Sequence, residues 1–247
     1  MAASSIAPTE PTVIDEHGLR VMLAAACRRL HARGLLAGAE GNLSCRLPDG
    51  DLLVTASGVD KGAIDHTHVV RVHADGTPCH EERAHALPGD PRTRDTTCRP
   101  SSELGMHLAC YAARADVRAI VHAHPPAATG FAAAGIPIPA DVLPEVPVVV
   151  GPIALVPYGR PGTPALADAM RPFLATHEVF LLANHGVTAL GTSIDDALLR
   201  MESVEQSARI LAVARLLGGA QSLPPTEAAV LASLHPRYED ASRTNCT

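Results

Sequence analysis

Short apolar runs cut off by turn-forming residues, with amphipathic stretches between them, are the feature that most restricts how this chain folds. Residues 119–124, 179–183 and 187–190 are too short for stable helices and rich in Val, Ile and Leu, and Pro, Gly or Asn stops them, so they read as strands. Residues 41–47 and 51–56 flank Pro48-Asp49-Gly50 and read as a hairpin ended by Ser57-Gly58; residues 69–72 supply another strand. A helix over 15–33 places Leu19, Leu23, Ala26, Cys27 and Leu30 on one face, with Gly34 closing it. Ser101 and Ser102 cap a helix through Arg114, and residues 164–174 form a short helix that Pro172 kinks. Ser193 caps the longest helix, with Asp195 and Asp196 in its first turn and Gly218-Gly219 at its end. Residues 135–156, rich in Pro, Val and Ile, suggest short strands and turns, and the polar stretch 73–99 a long surface loop. The organisation is a flexible N-terminus (1–14), one domain (15–220), and a C-terminal short helix with a polar tail (221–247).

Composition narrows the function classes. With 47% hydrophobic and 19% charged residues, the 247-residue chain buries a sizeable core. Only 2% of residues are aromatic and there is no Trp, so base-stacking platforms are absent, and a net charge of -6 opposes polyanions; no nucleic-acid partner is expected. No apolar run spans a bilayer and residues 1–11 lack a signal-peptide pattern, so no membrane partner and a cytoplasmic location are expected. The six cysteines form no C-x-x-C pair, and reduced thiols are the default.

Thirteen histidines make chance pairs inevitable, so each must be weighed. His122 and His124 sit two apart at the end of a strand and share a side of it, as two ligands to one ion would. His185, at the end of another strand and before a glycine, supplies a third. Three neutral imidazoles leave one tetrahedral position open, as a catalytic zinc needs. His66-Thr67-His68 has the same spacing but lies in a polar segment, and it reads as solvated surface along with His73, His80 and His85. Glu103, in the first turn of its helix, is favoured there by the helix dipole, so capping alone explains its charge.

Gly41-Asn42-Leu43-Ser44, Ser57-Gly58 and Ser101-Ser102 are small polar clusters at turns or a helix start, where backbone N–H groups and hydroxyls can cradle a phosphate. Lys61 lies close enough in sequence to add charge. Taken in order, Gly-Asn-Leu-Ser, Ser-Gly, Pro-Ser-Ser-Glu, His-Ala-His-Pro and Asn-His-Gly resemble the class II aldolase/adducin family, in particular its fuculose-phosphate aldolase branch, over residues 15–220. The resemblance implies a three-layer α/β/α sandwich with a central, mainly antiparallel β-sheet, assembled as a homotetramer with active sites at subunit interfaces. It implies one Zn2+ per subunit (or another divalent metal such as Mn2+ or Co2+) on His122, His124 and His185, with Glu103 as the carboxylate that binds the free metal and acts as base. Asn42, Ser57, Gly58, Ser101 and Ser102 would hold the phosphate of a small sugar-phosphate substrate.

One departure matters. The family's aldolases use a tyrosine from the neighbouring subunit, after the His-x-His strand, to protonate the departing group; residues 125–157 contain none, which leaves Asp141 and, as the preferred substitute, Glu145. The expected activity is zinc-dependent cleavage of a ketose 1-phosphate to dihydroxyacetone phosphate and an aldehyde. The alternatives on the same scaffold are a thio-sugar-phosphate dehydratase, a sugar-acid-phosphate decarboxylase and a pentulose-phosphate epimerase. The epimerase branch typically carries Asp where this chain has Glu103. A non-catalytic, adducin-like interaction domain has no need of the intact histidine set.

Overall fold

The computed structural model describes residues 15–79 and 99–235. Its centre is a seven-stranded sheet of β1 (Asn42–Arg46), β2 (Leu52–Thr55), β3 (Val69–Val72), β4 (Ala119–Ala123), β5 (Ile153–Val156), β6 (Val179–Leu182) and β7 (Gly186–Gly191), in the order β3-β2-β1-β4-β7-β6-β5. Every neighbouring pair is antiparallel except β5 with β6. Side chains alternate between faces along each strand, so one strand feeds two cores. Ala119, Val121 and Ala123 join α1 (Glu16–Ala32), α3 (Pro126–Ala133) and α5 (Ile194–Leu216) on one face. Ile120, with Val54, Phe180 and Leu182, joins α2 (Leu104–Ala113) and α4 (Pro164–Met170) on the other. The three-layer α/β/α architecture follows from these two buried faces.

Several local expectations hold because the chemistry at the element ends is strong. The Asp15 side chain accepts from Gly18 N at 2.7 Å to open α1, and Ser193 Oγ accepts from Asp196 N at 3.1 Å to open α5. Pro172 ends α4 as a 3-10 turn, Arg171–Phe173. The His66–His68 segment is likewise a 3-10 turn on the surface, capped by Asp65.

Other expectations need correction. Pro125-Pro126 does more than stop β4: Pro126 opens α3, a helix that the residue pattern alone does not announce, because proline at the first helical position gives up a donor that would have no partner there. Within 135–156, residues Val146–Val150 form a single π turn instead of a strand, and only Ile153–Val156 is extended. Glu103 is the residue before α2 begins, not part of its first turn, and Ser101 Oγ accepts from Glu103 N at 3.2 Å. Of the 73–99 loop, His73 N donates to Thr77 O at 2.8 Å and turns the chain back at Gly76; His80, His85 and the remainder to residue 98 lie outside the described residues. So do the N-terminus expected to be flexible and the polar tail beyond residue 235, but the short C-terminal helix is present as α6 (Pro225–Ser233). Among the described residues, no helix is long and apolar enough to cross a membrane.

Candidate metal centre and active site

Register puts the first candidate ligand in place. β1, β4 and β7 lie side by side, with Asn42 opposite His122 and His122 opposite Thr188. His122 is fully buried, and its Nδ1 donates to Val187 O at 3.0 Å, with Thr188 Oγ1 at 3.1 Å. A carbonyl only accepts, so Nδ1 carries the proton and Nε2 presents its lone pair. His124 follows the end of β4, and its Nδ1 faces Glu40 Oε2 at 3.2 Å, which fixes the same tautomer. His185 sits in the tight turn between β6 and β7, where Asn184 adopts φ 57°, the left-handed region asparagine tolerates better than most residues.

Glycines make the approach possible. At Gly41, with φ 68°, an added Cβ would lie 2.6 Å from His122 O. At Gly186 it would lie 2.7 Å from Ala123 O and collide with the His124 ring. Both positions therefore bring backbone against the histidine-bearing strand where no side chain fits.

The three rings converge. Their centroids are 4.7–5.2 Å apart, and one ligand atom from each of His122, His124 and His185 lies within 4.8 Å of the others. His122 Nε2 and His124 Nε2 are 3.3 Å apart, although each ring's proton is held elsewhere. Two nitrogens on a tetrahedral ion at about 2.0–2.1 Å would lie roughly 3.3 Å apart. Glu103 completes the cluster, with Oε2 at 3.3 Å from His122 Nε2 and Oε1 at 3.1 Å from His185 Nε2. Oε1 is close to His185 without a hydrogen bond, and buried His185 Nδ1 has no hydrogen-bond partner either. Atoms crowded this way without donor alignment fit a shared cation, and the donor set of three imidazoles and a carboxylate suits a divalent metal.

The electrostatics agree. Burial raises the Glu103 carboxyl, but with no cation present, attraction to N–H groups of the His122 and His185 rings outweighs it and holds the group far below the usual carboxylate range; a shared cation would supply that positive charge once the ring lone pairs turn to it. Burial and the neighbouring rings of His122 and His185 lower His124, against Glu40, which favours the neutral imidazole a metal requires.

Beside the centre lies a cleft of about 240 Å³, lined by Asn42, Ser57, Gly58, Ser101, Ser102, Glu103, His124 and His185. All five residues expected at the phosphate are thus brought to one cavity with three of the candidate metal ligands, Glu103, His124 and His185. Lys61 also lines it and is buried, donating through Nζ to Val59 O at 2.9 Å and Ala39 O at 3.2 Å. Burial lowers its pKa.

Glu145 is not among the lining residues. It is exposed at the start of the π turn, and Asp141 is also outside the cleft. A second trio, Asp51, His73 and Cys79, also converges within 4.8 Å. Arg71 engages the Asp51 carboxylate at 2.8 Å, so we read that cluster as a surface ion-pair network. Sequence reasoning missed Glu40, Thr188 and His107. For His107 the signal was its spacing: it stands four residues after Glu103, one helical turn along.

Comparison with known proteins agrees with this geometry. The family model of the Class II Aldolase and Adducin N-terminal domain matches residues 21–212. Over 200 residues the chain is 34% identical to 3-oxo-tetronate 4-phosphate decarboxylase of Escherichia coli (strain K12), covering 79% of this chain and 87% of that protein. The crystal structure of YgbL from Escherichia coli superposes with a TM-score of 0.75 at 32% identity, covering 88% of this chain and 99% of that one. An L-fuculose 1-phosphate aldolase superposes with a TM-score of 0.76 at 27% identity, covering 90% and 98%. Motif order, sheet topology and the match across most of its length lead to one conclusion: this chain belongs to the class II aldolase/adducin family.

Proposed function

We propose that this protein is a metal-dependent decarboxylase of a phosphorylated 3-oxo sugar acid, which the sequence alone ranks as an alternative to fuculose-phosphate-type cleavage. The observation that carries it is the 34% identity to a 3-oxo-tetronate 4-phosphate decarboxylase over most of both chains. A chemical argument points the same way. Aldol cleavage needs proton transfer at the departing group, work that the family's aldolases give to a tyrosine after the His-x-His strand, and residues 125–157 hold none. A departing carboxylate is already ionised and leaves as carbon dioxide without one.

In this reading Ser57, Gly58, Ser101, Ser102 and Asn42 bind the phosphate through backbone and side-chain donors, and Lys61 adds positive charge to the same cleft. When bound on His122, His124 and His185, a divalent cation, zinc by preference for three neutral imidazoles, draws electron density from the ketone next to the breaking bond. The bond between the carboxylate carbon and C2 breaks, its electron pair moves toward the ketone oxygen, and C2 then takes a proton. Glu103, beside the cleft, delivers it. Burial works toward a basic carboxyl while Asn42 Nδ2, donating at 2.8 Å, works against it, so in this reading Glu103 passes on a proton taken from solvent rather than storing one. From 3-oxo-tetronate 4-phosphate the products would be carbon dioxide and dihydroxyacetone phosphate.

We further propose a cytoplasmic homotetramer with sites near subunit contacts, where Glu145 of a neighbouring copy would be the group to test. Exposed apolar side chains on α5, including Leu199, Ile210 and Val213, offer surface for such contacts. Both candidate reactions yield dihydroxyacetone phosphate, so the deciding assay follows the other product. Zinc-loaded protein given 3-oxo-tetronate 4-phosphate should release carbon dioxide faster than it releases aldehyde from any ketose 1-phosphate. Faster aldehyde release would restore the aldolase reading.

A further inference from the structure

We propose that His107 is a positioning residue for Asn42 and Glu103, with its neutral ring protonated on Nε2, so that a one-way run of hydrogen bonds ends on the Glu103 carboxylate. Its catalytic consequence rests on the role given to Glu103 above; its hydrogen-bond direction does not.

The run begins in the core. Tyr111 OH lies 2.8 Å from Ser44 Oγ, Ser44 Oγ lies 2.6 Å from His107 Nδ1, and His107 Nε2 lies 2.6 Å from Asn42 Oδ1. Asn42 Nδ2 then donates to Glu103 Oε2 at 2.8 Å. Ser44 and His107 are fully buried, and Tyr111 and Asn42 nearly so, so no solvent relieves a wrong assignment.

Donor and acceptor rules leave one solution. Asn42 turns its amide nitrogen to Glu103, so its oxygen faces His107 and can only accept; His107 Nε2 must donate. Complete burial keeps the ring neutral, so Nδ1 has no proton and the Ser44 hydroxyl donates to it. Ser44 has then spent its only hydrogen, and Tyr111 must donate to Ser44. Every donor points toward Glu103, and bonds aligned in this way polarise one another.

The ring thus decides which way the Asn42 amide faces. A flipped amide would set its oxygen against a Glu103 carboxylate oxygen and its NH2 against the ring's N–H, two mismatched contacts in a buried place. Asn42 also lines the cleft and has a second amide hydrogen, so the same orientation makes it a donor for a substrate phosphate. The rival account is that His107 only ties α2 to the sheet.

The test has two parts. In metal-loaded wild-type protein labelled with 15N-histidine, two-bond proton–nitrogen spectra should show one ring, identified by its loss in His107→Gln, protonated on Nε2 and not titrating from about pH 6 to about pH 9. An Nδ1-protonated or titrating ring overturns the proposal, whatever reaction the enzyme runs. In the second part, His107→Leu should lower kcat/KM by about 10- to 100-fold with metal content unchanged. His107→Gln, whose amide nitrogen can reach the position of Nε2, should recover about tenfold or more of that loss. Equal losses in both variants, tracking their unfolding midpoints, would leave His107 a purely structural residue and refute the positioning role.

Discussion

Replacing His107 with glutamine should flatten the acid limb of the protein's stability curve by about 2 kcal/mol between pH 8 and pH 5. His107 is fully buried, and that burial, with the nearby His122, lowers its pKa to about 3. In the unfolded chain the ring titrates near 6.5. The folded pKa is the lower one, so the contribution is intact above about pH 6.5 and is lost as pH falls from there toward 3. At pH 5 the unfolded ring is almost wholly protonated and the folded ring is not, and 1.5 pH units below 6.5 correspond to about 2 kcal/mol. Glutamine does not titrate. Urea unfolding of metal-free wild type and His107→Gln, at pH 8 and pH 5 and at one fixed protein concentration, isolates the difference. The variant should be less stable at pH 8 through its altered hydrogen bonds, so the pH-induced change carries the test, provided the m-values agree. Equal pH-induced losses in the two proteins, within about 0.5 kcal/mol, would refute the claim that the ring is held neutral.

His122→Ala should abolish both bound metal and activity, with metal analysis of the purified variant as the check; stoichiometric metal would show that the three rings do not share an ion. Glu103→Gln should retain substantial metal on the histidines while turnover falls by about 10²- to 10⁴-fold, and full turnover would remove Glu103 from proton transfer. Gly41→Ala should cost about 2–5 kcal/mol, combining a φ of 68° with a Cβ placed 2.6 Å from His122 O. An unchanged unfolding midpoint in that variant would contradict the close approach of the Gly41 backbone to β4.

The strands and the long helices were legible because each carries its signal locally: Asp15 and Ser193 cap, Gly50 turns, and Ala119 to Ala123 alternate between two cores. The convergence of the three histidines was legible for a related reason, since a strand fixes the side on which His122 and His124 emerge. α3 escaped because Pro125-Pro126 reads as a stop, and whether a proline ends one element or opens the next depends on the tertiary packing of the residues after it. The Val146–Val150 turn escaped because a Val-rich run with prolines has strand composition, and tertiary contacts overrode it. The supporting groups were least visible. Glu40 meets His124 across 84 residues of chain and Thr188 meets His122 across 66, and no local pattern encodes such pairings.

The same centre can serve an aldolase and a decarboxylase because both reactions break a bond at the carbon next to a ketone and send the electrons to the same oxygen. Everything on the ketone and phosphate side of that bond can therefore be shared: the histidines, Glu103, and the serine and glycine turns. What differs is the departing half, an aldehyde that must lose a hydroxyl proton or a carboxylate that need lose none. Selectivity must then lie with groups facing the departing half. Within this chain the remaining wall of the cleft includes Pro161 and Gly162, of which Gly162 has φ 68° and runs close to Ser102. Neither carries an ionisable group. The lining also includes Glu40, whose carboxylate faces His124 Nδ1 at 3.2 Å, so the proposed loss of carbon dioxide asks no base of this wall, whereas aldol cleavage would have to draw one from Glu40 or from a neighbouring subunit.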